Sequence, residues 1–140
     1  AAIHPLGLPD GGVTAQQARL TDALTRLLRP GDLAITPWRH DGHPDHDATG
    51  RACAAACAAT GAQLLEVPVW TWHWARPGDP RLPWHRARRL LLDEATVQRK
   101  CAALQAFQSQ LRPDASTGAA PILDAGSVAR AARPFELMFA

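Results

Sequence analysis

Hydrophobic positions recur along the chain at two different periods. Leu20, Leu24, Leu27 and Leu28 fall three or four residues apart, which places them on one face of a helix. Thr14, followed three residues later by Gln17, matches a capping box ahead of that helix, and Pro30-Gly31 stops it. From Asp32 to Thr36 the period collapses into a continuous apolar run, Leu33-Ala34-Ile35, which predicts a short buried strand. A polar loop, Pro37 to Gly42, follows. The next helix begins at His43-Pro44. Proline suits a first helical position and pushes the residue before it out of the helical region, so His43 takes the N-cap. Alanine-rich residues from Ala48 to Ala59 continue this helix, Gly61 ends it, and Gln63 to Val69 is the next strand. Two helix–strand units in succession predict an α/β fold: a Rossmann-like layered domain with a largely parallel sheet flanked by helices. Asp32–Thr36 and Gln63–Val69 are expected to be parallel neighbours, joined by the intervening helix.

The second half of the chain is less regular. Trp70, Trp72 and Trp74 alternate, so in an extended segment they line one face. With Trp84 they suit two roles: a platform for a sugar or a lipid-like substituent, or a packing surface through which copies of the chain form a homo-oligomer. Arg86 to Leu92 fits either a strand or the opening turns of the helix that follows. Asp93 can cap that helix, where Val97, Cys101, Leu104, Phe107 and Leu111 share a face. Arg112-Pro113 ends it, a loop runs to Ala120, and the last twenty residues predict a short helix and a tail. Neither an internal repeat nor a linker divides the 140 residues, which are read as a single domain long enough for a real core.

Composition narrows the function classes. Hydrophobic residues at 46% and charged residues at 20% are ordinary for a soluble globular chain. A net charge of +2 is too small to argue for nucleic acid, and Arg86, Arg88 and Arg89 read as a solvated face. No apolar run reaches the length of a membrane span. Three cysteines, Cys53, Cys57 and Cys101, lack paired spacing and point to a reducing, cytoplasmic compartment. Cys53 and Cys57, set among alanines, are expected to be small buried hydrophobes. The opening, Ala1-Ala2-Ile3-His4-Pro5, is neither a signal nor a transit peptide and has no initiator Met, so the chain is expected to open inside a domain.

Asp41-Gly42-His43-Pro44-Asp45-His46 concentrates the chemistry, with two histidines and two aspartates in the loop beyond the first strand. Ligands bind beyond the carboxyl ends of strands in open α/β sheets. Imidazole and carboxylate suit a catalytic zinc, and His43 and His46, three apart, project to one side at a helix start. Asp45 is placed to accept a hydrogen bond from an imidazole and fix its tautomer. Outer roles for His40 and Asp41 are weaker than simple solvation of the loop.

The same letters resemble two hydrolase families. Asp41, His43, Asp45 and His46 satisfy by spacing the His/Asp-x-His-x-Asp-His pattern of the metallo-β-lactamase type, although only His73 and His85 remain downstream as further ligands. A fuller match is to the zinc-dependent N-deacetylases called PIG-L or LmbE-like. Leu6 to Gly11 resembles the segment ahead of that family's middle helix, Asp41 to His46 its second metal motif, and Lys100, Ala103-Leu104 and Ser109-Gln110 its late helix; Glu136 resembles its tail. The resemblance implies a hydrolase that removes an N-acetyl group from an amino sugar in a glycoconjugate or small metabolite. His46 is then a Zn2+ ligand, and His43 stabilises the oxyanion and protonates the leaving amine. Asp45 holds His43, and Asp10 reaches substrate hydroxyls. Pro9-Asp10-Gly11 forms a turn unaided, so a turn role for Asp10 stands beside that one. The resemblance also favours a strand for Arg86–Leu92. One departure matters: the family's opening Ala-His-Pro-Asp-Asp is missing, and His4-Pro5 lacks both aspartates. Residues 1–140 are therefore expected to carry part of a site, and a non-catalytic sugar-binding or interaction domain is the rival reading.

Overall fold

A computed structural model describes residues 2–140. Contacts divide the described residues into two compact units, residues 2–88 with 137–140 and residues 89–136.

The first unit opens with a coil, a 3-10 turn (Thr14–Gln16) and helix α1 (Gln17–Leu27). The expected capping box does not form. Gln16, not Thr14, caps α1, and the Thr14 hydroxyl donates instead to Pro44 O at 3.2 Å. Strand β1 (Leu33–Pro37), helix α2 (Pro44–Thr60) and strand β2 (Gln63–Val67) follow as the apolar pattern predicts. Pro44 occupies the first turn of α2 behind an extended His43, and Gly61 closes it at φ 76°, a left-handed conformation that suits glycine. β1 and β2 run parallel, from Leu33 opposite Gln63 to Pro37 opposite Val67.

Beyond β2 the expected extended tryptophan segment is instead a helical turn, α3 (Thr71–Trp74), so Trp70, Trp72 and Trp74 do not share a face. Residues 87–91 form strand β3, as the family resemblance favours. A strand that the periodicity misses, β4 (Phe135–Phe139), closes the sheet in the order β1-β2-β4-β3. β4 is antiparallel to β2, through Glu66 opposite Phe139. Ala140 N–H donates to Arg86 O and Leu92 N–H to Pro134 O, so β3 advances as β4 retreats and this pair is antiparallel too. The sheet is therefore mixed: β1, β2 and β3 run in one direction, and β4, inserted between β2 and β3, runs against them. The largely parallel sheet expected thus holds for strand direction but for only one of the three neighbouring pairs.

Two apolar clusters hold the first unit. Ala34, Cys53 and Cys57 pack between β1 and α2, with Leu24, Leu28, Ala62 and Leu64 around them. Trp38, Leu82 and Phe139 form the other, with Trp72 and Trp74 against it. Complete burial of Phe139 contributes about 2–3 kcal/mol. Both α2 cysteines are buried as expected, and burial pushes the Cys53 thiol up to about 11, which keeps it protonated and inert. Glu66, fully buried on β2, is held by Arg39 and Arg86 at 2.6 and 3.0 Å.

The second unit contains α4 (Glu94–Gln105), α5 (Gln108–Leu111) and α6 (Ala125–Ala131). Asp93 caps α4 through the Thr96 N–H, as expected, and Asp124 caps α6 through the Ser127 N–H. The late helix breaks at Ala106-Phe107, which leaves Phe107 exposed instead of on a shared face with Cys101. Lys100 forms an ion pair with Glu136. No residue between 89 and 136 is buried. Among the described residues, no helix is long and apolar enough to cross a membrane.

Candidate functional site

Asp41 organises the loop between β1 and α2. It is fully buried, and its carboxylate accepts from the N–H groups of Val69, Trp70 and Thr71 at 2.9, 2.7 and 2.8 Å. The Thr71 hydroxyl and His46 Nδ1, the latter at 2.5 Å, complete its shell. Burial alone would raise the Asp41 carboxyl. The hydrogen bonds from Thr71, His46 and Trp70 together outweigh it and hold the group below the ordinary carboxylate range. An ionised carboxylate only accepts, so His46 Nδ1 must carry the proton. His46 Nε2 is then the lone-pair nitrogen of that ring whenever the imidazole is neutral. A buried carboxylate behind an imidazole is the usual way of orienting a metal-ligating histidine.

The rest of the loop is equally constrained. Gly42, at φ 89°, donates its N–H to Asp47 Oδ1 at 3.0 Å. A Cβ there would lie 2.7 Å from Trp74 Nε1, which itself donates to Asp41 O at 2.7 Å. Gly50 lets α2 press against the loop, since its Cβ would fall 2.6–2.8 Å from backbone atoms of Pro37 and Arg39. Asp41 is thus a buried anchor and not the solvated loop residue that its sequence context suggests, whereas His40 is exposed.

His43 and His46 come together as the spacing predicts, with ring centroids 4.6 Å apart and planes at 38°. His43 Nδ1 is buried and has no hydrogen-bond partner. Asp45 does not hold it. The Asp45 carboxylate accepts instead from Gly11 N at 2.6 Å and Val13 N at 3.1 Å. From the first turn of α2 it reaches across to amides of the coil ahead of the 3-10 turn, 32–34 positions upstream. Its effect is to latch the Pro9–Gly12 turn, with Asp10, onto the start of α2. Asp10 is exposed, and its carboxylate has no hydrogen-bond partner among the described residues.

Sequence reasoning missed the Asp41–Thr71 contacts and the aromatic neighbours of His43. Trp70 meets His43 edge-on at 5.4 Å, and His73 lies 4.4 Å from Trp70. The adjacent tryptophans were a signal, but their alternation pointed to a strand.

Asp41 and His46 fit one ligand position of a zinc site, and the orphaned, buried His43 Nδ1 marks a second polar group without a partner. Among the described residues, no group of three or more His, Cys, Asp or Glu side chains completes a donor set. Comparison with family models, curated proteins and solved structures found no match, so the family resemblance rests on the motifs alone.

Proposed function

We propose that this chain carries one half of a hydrolytic zinc site of PIG-L type, acting on the N-acetyl group of an amino sugar in a glycoconjugate or small metabolite. One observation carries the reading: the buried Asp41 carboxylate binds His46 Nδ1 and leaves Nε2 as a donor at the carboxyl end of β1. His46 is the protein ligand in this reading, and the further donors and the base that such a site needs are not found among the described residues. His46 Nε2 would hold the zinc, which would supply a lowered pKa for a bound water and polarisation of the amide carbonyl. His43 lies beside His46 and serves the substrate: it hydrogen-bonds the developing oxyanion and delivers a proton to the departing amine nitrogen. Asp45 acts at one remove, by fixing the Asp10 turn, and Asp10 supplies a carboxylate for sugar hydroxyls. Three free cysteines suit a reducing compartment such as the cytoplasm.

Acetate release from N-acetylglucosamine derivatives, measured alongside zinc content, tests the reading in a protein that supplies the remaining donors. His46→Ala should lose zinc and activity together. His43→Ala should keep zinc while turnover falls about 10²–10⁴-fold. Equal zinc loss in both variants would move the assignment to the metallo-β-lactamase pattern. The incomplete donor set favours a second reading, a sugar-binding domain without catalysis; sugar binding with no acetate release from any zinc-loaded form would establish it.

A further inference from the structure

The imidazoles continue into a row of rings. His46 and His43 lie 4.6 Å apart, His43 and Trp70 5.4 Å at 66°, and Trp70 and His73 4.4 Å at 38°. His43 and Trp70 are half-buried and His73 is exposed, so the row leads from the candidate metal ligand to solvent. Its base is fixed, because the Trp70 N–H is one of the donors to the buried Asp41 carboxylate.

Trp70 is unlike its neighbours. Trp72 and Trp74 pack against the Trp38, Leu82 and Phe139 cluster. Trp74 and Trp84 also spend their indole N–H groups on Asp41 O and Asp79 O. The Trp70 indole N–H has no partner among the described residues, and its ring contacts are two imidazoles. A flat apolar ring with an unused donor, set between polar rings, matches a ligand with a C–H face and a rim of hydroxyls. A pyranose has that form, whereas an acyl chain would meet an imidazole at each end of the indole.

We propose that Trp70, flanked by His43 and His73, is the subsite that receives the sugar ring of the substrate. The inference rests on His43 and His46 acting on a sugar amide, and it adds where the ring sits. The indole takes the C–H face, and the indole N–H and His73 take hydroxyls. Trp70 and His73 thereby set specificity without taking part in bond cleavage.

The probe is methyl N-acetyl-β-glucosaminide, titrated into the wild-type chain while the indole N–H resonances are followed by NMR. The Trp70 indole signal should move with the titration and that of Trp84 should not. Trp70→Ala should weaken binding about tenfold, Trp70→Phe less, and His73→Ala measurably. Because the wild-type spectrum already locates the sugar, a variant that fails to fold leaves the test decisive. An unmoved Trp70 signal at saturation, no binding at all, or equal affinity in Trp70→Ala would overturn the assignment. Binding at Trp70 without acetate release from any zinc-loaded form would uphold the subsite and defeat the hydrolytic reading. Acetate release with kcat/KM unchanged in Trp70→Phe and His73→Ala would do the reverse.

Discussion

Replacing Asp41 with Asn separates what its charge does from what its shape does. One oxygen accepts from Val69 N, Thr71 N and the Thr71 hydroxyl, and the other from Trp70 N and His46 Nδ1. An asparagine that keeps its oxygen on the Thr71 side retains three donors but loses their charge assistance. Its NH2 then faces the Trp70 N–H, a donor with nowhere to go, and His46 Nδ1. Stranding a buried donor costs about 1–3 kcal/mol, and weakening the other bonds adds to this, so the variant should lose about 2–4 kcal/mol. At about 4 °C per kcal/mol the melting midpoint should fall by roughly 8–16 °C. The local consequence is more specific. Facing an NH2 group, His46 is driven to the opposite tautomer, with the proton on Nε2 and no lone pair for a metal. Thermal melts read the first effect, and long-range 1H–15N spectra of the imidazole read the second. A variant as stable as the wild type, or one with His46 still protonated on Nδ1, would show that the Asp41 charge neither holds the loop nor sets the His46 tautomer.

Gly50→Ala forces a Cβ to within 2.6–2.8 Å of three backbone atoms that cannot swing away. The strain should cost about 2–3 kcal/mol by denaturant titration, more than the gain of about 1 kcal/mol in helix propensity; equal or higher stability would contradict the close approach. Asp45→Ala releases the Gly11 and Val13 amides, so hydrogen exchange there should accelerate while that of β2 stays slow. Burial raises the Glu66 carboxyl, but bonds from Arg39 and Arg86 outweigh it and hold the group below its ordinary value. A group depressed in the folded state stabilises above its unfolded pKa and loses that contribution as pH falls through the folded one. The stability gap between wild type and Glu66→Gln should therefore be full at neutral pH and shrink as the solution is acidified below about 4; a pH-independent gap would refute this.

Local signals made the first half of the fold legible. The apolar run at Leu33–Ile35, the proline behind His43 and the glycine after Thr60 each act within a few residues, and β1, α2 and β2 form where they predict. The chemistry of Asp41 was not legible, because its backbone donors lie 28–30 positions downstream and leave no periodic trace. Asp45 misled for a related reason: its neighbours in sequence are two histidines, whereas its partners are amides 32–34 positions upstream. β4 escaped because Phe135–Phe139 has no polar alternation, and its strand state depends on partners far back in the chain. The tryptophan alternation failed because Asp41 gathers the amides of residues 69–71 and starts a helical turn there.

In the proposed site, Asp41 makes His46 Nε2 a metal donor beside a His43 reserved for substrate. The most direct test follows the ring nitrogens of both histidines by 15N NMR as zinc is added to the wild-type chain. His46 Nε2 should shift on zinc addition while Nδ1 keeps its proton toward Asp41, and the His43 nitrogens should stay put; binding should be weak, since no group of three or more donors is found among the described residues. An unmoved His46 Nε2 in excess zinc would remove His46 as the ligand, and equal shifts at both histidines would make His43 a ligand too.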